Sequence, residues 1–264
     1  MLSQKLKNNW QWILIPLFMI AEFAIDQIVF GRVCRFVFKL LSINPSTHYI
    51  LILNLFKAFS VLTIVLLNYY FFKQKFFWQP SKKSSGWIVF AVVCFGIVVS
   101  TIRTPHFWSA LDTGIIAAFP EEFMFRGVIL GVVLMILTRV KTTAFRVNLS
   151  VVISAILFGA YHYINLSNQS FSFTTMQVIS VAGFGLILGA VYVRSGSIIV
   201  PILLHFIYDY VVTLPKGFQV TNYSQVSGVQ MIALGIWIII YAIIAYLIVN
   251  YRFANNKILP KLKN

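Results

Sequence analysis

Apolar runs long enough to cross a lipid bilayer recur eight times along this 264-residue chain. A spanning helix needs about 20 predominantly apolar residues for a hydrocarbon core of about 30 Å. Such runs occupy Trp10–Phe30, Tyr49–Phe72, Trp87–Ile102, Asp112–Leu137, Asn148–Ile164, Met176–Val193, Ser197–Leu214 and Gly228–Asn250. Composition agrees. The chain is 59% hydrophobic and 10% charged, against roughly 45–50% apolar and about 25% charged in soluble domains. A soluble fold of this size would lack the polar surface to cover itself. The two cysteines, Cys34 and Cys94, sit in no metal-ligand spacing and are too few for a disulfide framework. The expected fold class is all-α: a polytopic membrane protein of about eight transmembrane helices, forming a single integral membrane domain over residues 1–264.

The charges are as unevenly distributed as the apolar residues. There are 21 Lys and Arg against 6 Asp and Glu, a net charge of +15. The basic residues fall in short clusters between apolar runs, where they meet membrane lipids. No compact basic domain is present to hold nucleic acid, so nucleic acid is not an expected partner. With the N-terminus in the cytoplasm, fourteen basic residues lie inside and five outside, Lys57 and Arg126 being within spans. That bias predicts both termini in the cytoplasm. The segment Gly31–Leu41 spaces Arg32, Arg35 and Lys39 by three and four, which predicts an interfacial amphipathic helix. The first run follows Lys5 and Lys7 but is too long for a signal peptide and shows no small-residue cleavage site, so it reads as a helix.

All six acidic residues lie in or at the edge of apolar runs: Glu22, Asp26, Asp112, Glu121, Glu122 and Asp209. A charge at the bilayer centre costs at least ~2.5–3.5 kcal/mol, so such groups face the bundle interior and have partners. Three short motifs stand out. In EEFMFRG, residues 121–127, Glu122 and Arg126 are four apart and share one helix face, which suits an ion pair. Glu121 is turned about 100° away and is the carboxylate left for proton transfer. In FGAYH, residues 158–162, Phe158 and His162 share a face. In HFIYD, residues 205–209, Asp209 lies beside His205 and can orient its ring. Each motif alone is as readily a structural brace or a packed polar pair. Together they hold a carboxylate base, an ion-paired carboxylate and two imidazoles, enough to activate a water in an intramembrane cavity. No nucleophile elbow and no HExxH accompanies them, so direct attack by water is the natural chemistry. Glu22 and Asp26 on the first helix and Lys57 on the second are expected to make a structural pairing between these helices, with substrate gating as the alternative.

These motifs, in this order on three separate apolar runs, resemble the EExxxR, FxxxH and HxxxN/D patterns of the CPBP family (CAAX-protease and bacteriocin-processing membrane proteins, also called Abi). The first 110 residues resemble the family only in hydropathy. The resemblance implies a CAAX-prenyl-protease-like helix bundle with a catalytic motif core at 112–214, acting as an intramembrane endopeptidase on a membrane-associated peptide or protein. It makes Glu121 the base that activates water, with Glu122 and Arg126 completing the first motif and His162 and His205 lining the site. Asp209 stands where the prenyl-processing relatives have Asn. An Asn there would donate a hydrogen bond to the oxyanion, which Asp does only when protonated. Glu121, His162 and His205 could also hold Zn²⁺ with an open position for water; a metal-free glutamate mechanism uses the same residues. The alternative to proteolysis is a bacteriocin self-immunity or membrane scaffold protein that binds without cutting. A proton-coupled transporter is a further alternative, disfavoured by the absence of inverted repeats.

Overall fold

The structure is a computed structural model and describes residues 2–44, 49–80, 86, 88, 89, 92, 93, 95–97, 99, 104–215 and 226–262. Among these there is helix and connecting chain and no strand. Helix α1 (Leu2–Ala24) passes through a π-helical stretch, Ile25–Phe30, straight into α2 (Gly31–Leu40). The amphipathic segment is thus helical as expected, but it continues the first helix without a break. Trp10–Leu40 together form one 31-residue apolar stretch. Helix α3 (Tyr49–Phe71) follows. Then α4 (Phe107–Glu122), a π-helical stretch (Phe123–Leu130) and α5 (Gly131–Thr138) make one unbroken rod. Helix α6 (Ala144–Tyr161) runs into a 3-10 turn, His162–Ser167, and is followed by α7 (Phe171–Ser195), α8 (Ile199–Thr213), α9 (Gly228–Asn250) and the short α10 (Ile258–Lys261).

Among the described residues, five stretches are long and apolar enough to span by those measures alone: Trp10–Leu40, Ile52–Phe71, Ala144–Ser167, Phe171–Ser195 and Gly228–Asn250. The eight expected spans compare with these as follows. Half of the third, Trp87–Ile102, lies outside the described residues, and the positions described within it are helical. The fourth is the rod from Phe107 to Thr138, which carries Asp112, Glu121, Glu122 and Arg126. The seventh, Ile199–Thr213, is 15 residues long. The fold is a polytopic helical membrane bundle.

Local chemistry sets the helix ends. Thr143 accepts from the amide of Arg146 and Ser170 from that of Phe173, starting α6 and α7. Ser227 and Gln230 form a reciprocal capping box on α9. Helix α7 stops at Gly196, whose φ of 64° is a left-handed conformation that costs a glycine nothing.

The rod that carries EEFMFRG is the centre of the molecule: every residue from Glu122 to Leu134 is buried. A helix buried on all sides must be apolar on all sides or have its polar groups partnered. Helix α4 packs most extensively on α8, and α6 and α9 pack on α7. The extended segment after α3 closes over the rod. Asn68 clamps it by donating to the Gln74 carbonyl at 2.8 Å and accepting from the Gln74 amide at 3.0 Å. Ser197 donates to the Trp78 carbonyl at 2.6 Å and Ile198 to that of Phe77 at 2.8 Å. The outer faces are strongly apolar: Val229 on α9 is 77% exposed, and Ile232, Ile236, Trp237, Ile239 and Ile243 are exposed with it. Such a patch is far beyond what a soluble monomer shows and suits contact with acyl chains.

Candidate active site

Glu121 and Glu122 end helix α4, just after Pro120 and just before the π-helical stretch. Adjacent helix positions point about 100° apart, and the two carboxylates accordingly have different surroundings. Glu122 is completely buried and Arg126 is 1% exposed. Arg126 Nη1 donates to Glu122 Oε1 at 2.8 Å, forming the ion pair that the spacing predicts. Its Nη2 donates to the Gly185 carbonyl on α7 at 3.2 Å, and its guanidinium lies 4.3 Å from the Phe158 ring centroid. The first motif is thereby tied to α6 and α7. A guanidinium suits the position because its planar fork serves several acceptors and a ring face at once.

His205, on α8, meets the same carboxylate oxygen as Arg126. Its Nδ1 is 2.8 Å from Glu122 Oε1, and its Nε2 is 3.3 Å from Asp209 Oδ2 and 3.8 Å from Glu121 Oε2. Each ring nitrogen therefore faces a carboxylate. A neutral imidazole has one N–H, so both nitrogens donate together only when the ring carries two protons. Phe158 and Phe184 set their rings edge to face against the imidazole, each with centroids 5.9 Å away. These rings hold its plane.

Glu121, Glu122, Arg126, His205 and Asp209 are thus gathered from two helices into one network. His162 is placed differently. It begins the 3-10 turn after α6, its Nδ1 lies 3.0 Å from the Phe158 carbonyl, and its ring packs edge-on against Phe158. It remains within electrostatic reach of Glu121. No three or more His, Cys, Asp or Glu side chains among the described residues are gathered closely enough to hold a metal ion, Glu121, His162 and His205 included.

Glu121 faces a cavity of about 100 Å³ that is also lined by Glu22, Asp26, Lys57, Ser60, Pro120 and Tyr161. That volume has room for several waters. The expected pairing between the first two helices forms through Ser60 and Glu22, without Lys57. Lys57 does not pair with Glu22 or Asp26; its Nζ lies 3.8 Å from Glu121 Oε1. Glu22 instead accepts from the Ser60 hydroxyl at 2.6 Å and from the Tyr161 hydroxyl. Hydroxyls satisfy a buried carboxylate without bringing in a second charge, which leaves Lys57 to face the motif helix. The sequence carried a signal for this. Lys57 and Ser60 are three apart and so share a face of α3, and Tyr161 adjoins His162 in the second motif.

A family model supports the resemblance seen in the motifs. Residues 102–211 match the type II CAAX prenyl endopeptidase Rce1-like family. The match takes in all three motifs and begins just ahead of α4. No curated protein and no solved structure matches the chain. At family level the match supports a CAAX-type intramembrane endopeptidase, a protease that sits in lipid and acts on a peptide or protein. The long apolar helices make it an integral membrane protein. The Rce1-like segment contains the whole Glu122–Arg126–His205–Asp209 network, while Lys57 and Glu22 reach the cavity from outside it.

Proposed function

We propose that the protein cleaves a peptide bond of a membrane-associated peptide or protein, and that Glu121 activates the water that attacks it. The observation that carries this reading is the division of labour between neighbouring carboxylates. Glu122 is completely buried and engaged by Arg126 and His205, whereas Glu121 is 17% exposed and lines the cavity. A general base must reach both water and substrate, and of the two only Glu121 does.

The steps use this chain's own side chains. Glu121 takes a proton from a water in the cavity as the water oxygen bonds to the substrate carbonyl carbon. The same carboxyl then returns the proton to the leaving amine as the C–N bond breaks. Glu122 and Asp209 hold His205 between them, and His205 Nε2 aligns Glu121 Oε2 from 3.8 Å. Arg126 neutralises Glu122, so that the second carboxylate does not compete for the proton. The fourteen-to-five distribution of basic residues supports cytoplasmic termini.

The test is cleavage by the purified protein in lipid nanodiscs, read by mass spectrometry on a farnesylated CAAX peptide and on a mixture of apolar peptides. Wild-type protein should cut at least one of them and Glu121→Gln should cut none, with both eluting as folded species. A chelator should leave the rate unchanged, because the proposed steps use no metal. Undiminished cleavage by Glu121→Gln would remove the assigned base.

A further inference from the structure

We propose that Lys57 is a catalytic residue of this site: its ammonium binds the oxyanion that forms when water adds to the substrate carbonyl. The assignment rests on the endopeptidase reading and extends it to a residue outside the three motifs. Attack by water places a full negative charge on the former carbonyl oxygen, and acyl transfer needs preorganised donors aimed at that charge. The described polar groups around Glu121 are nearly all committed elsewhere. Arg126 gives Nη1 to Glu122 and Nη2 to the Gly185 carbonyl, and is 1% exposed. His205 is held between Glu122 and Asp209. The hydroxyls of Ser60 and Tyr161 donate to Glu22. Asp209, as a carboxylate, accepts and does not donate.

Besides His162, whose Nδ1 lies 3.0 Å from the Phe158 carbonyl and which does not line the cavity, Lys57 is the group that remains. Its side chain is 27% exposed, it lines the same cavity as Glu121, and it faces that carboxylate from 3.8 Å, longer than a hydrogen bond. An ammonium has three donors on a flexible four-carbon stem, so it can stay beside Glu121 and still turn an N–H toward a substrate oxygen. Helix α3 brings it to Glu121 Oε1, whereas His205 Nε2 faces Oε2, so that a scissile carbonyl beside Glu121 has a cation to face. The balance is simple. Water adds its oxygen to the carbonyl carbon and its proton to Glu121. The carbonyl π electrons move to the oxygen beside Lys57, and they return as the C–N bond breaks and the amine takes the proton from Glu121.

The test compares wild type, Lys57→Met, Lys57→Arg and Glu121→Gln on a peptide that the wild-type protein cleaves, across a range of pH. Lys57→Met should lower kcat about 10²–10³-fold with KM changed little, and the loss should persist at the pH where the rate reaches its plateau. Lys57→Arg should recover much of the rate. Lys57→Gln replaces Lys57→Met if the latter does not elute as a folded protein. Full recovery of Lys57→Met at high pH would mean that Lys57 acts only by keeping Glu121 ionised, and would overturn the assignment. So would a wild-type rate in Lys57→Met. Either result leaves the endopeptidase reading intact, whereas an active Glu121→Gln or an inactive wild type removes that reading and this assignment with it.

Discussion

His205 Nδ1 lies 2.8 Å from Glu122 Oε1, the same oxygen that accepts from Arg126. One buried carboxylate oxygen thus joins the third motif to the first. Glu122 Oε2 and Arg126 Nε are buried without a hydrogen-bond partner. The network is consequently intolerant of single losses, since each deletion leaves a further charge without its counterpart.

Glu122→Ala and Arg126→Ala are each expected to destabilise the protein strongly. Removing one member of a buried pair typically costs about 3–5 kcal/mol, because the other is left uncompensated. Replacing both, as in Glu122→Gln with Arg126→Met, should cost less than the two single effects added together. Thermal unfolding in detergent and yield in the membrane fraction measure this. Equal and additive losses would mean that the two groups do not act as a pair.

Asp209→Asn should be tolerated in folding, because an amide oxygen can still accept from His205 Nε2, now 3.3 Å from Asp209 Oδ2. Asp209→Leu removes that acceptor and should lower the cleavage rate by at least about tenfold, as loss of an orienting partner does. Comparing the rates and melting points of the two variants separates loss of the acceptor from loss of fold.

Gly127, in the first motif, has no room for a side chain: an added Cβ would come within 2.5 Å of the Phe76 ring. Gly127→Ala should therefore destabilise by about 1–3 kcal/mol through overpacking. Phe76→Ala on the Gly127→Ala background should recover part of the loss. A thermal shift series on the wild type, the two single variants Gly127→Ala and Phe76→Ala, and the double variant shows whether the contact is the cause.

Tyr161→Phe removes one of the two hydroxyls that donate to Glu22, a residue only 2% exposed. An unsatisfied buried acceptor costs about 1–3 kcal/mol, so the melting point should fall. Residual cleavage at permissive temperature should stay near wild type, because Tyr161 holds α6 to α1 and takes no part in the proposed chemistry. A catalytic loss without a stability loss would give Tyr161 a role at the reacting atoms.

Much of the site was legible because its key spacings are local. Glu122 and Arg126 are four apart on one helix, as are His205 and Asp209, and helix geometry alone places each pair side by side. The distinction between Glu121 and Glu122 also follows from helical rotation. Five of the eight apolar runs coincide with stretches, among the described residues, that are long and apolar enough to span. Their ends moved because caps such as Ser170 and Thr143 start helices earlier than hydropathy does. The join between α1 and α2 was not legible, since an amphipathic face reads alike whether its helix is separate or continuous.

Lys57 shows the limit most clearly. Its nearest acidic residues in the chain are Asp26 and Glu22 on the preceding helix, and their opposite sign invites a pairing; the fold instead turns it to Glu121, 64 positions away in sequence. Residue order alone determined that the chain is helical and membrane-embedded, and which carboxylate would be paired, because hydropathy and the 3.6-residue turn act over short distances. Only tertiary packing decided which side chains from distant helices share the cavity. Hydroxyls from Ser60 and Tyr161 satisfy Glu22 without a countercharge, and the cation is thereby free to face the carboxylate beside the proposed reaction.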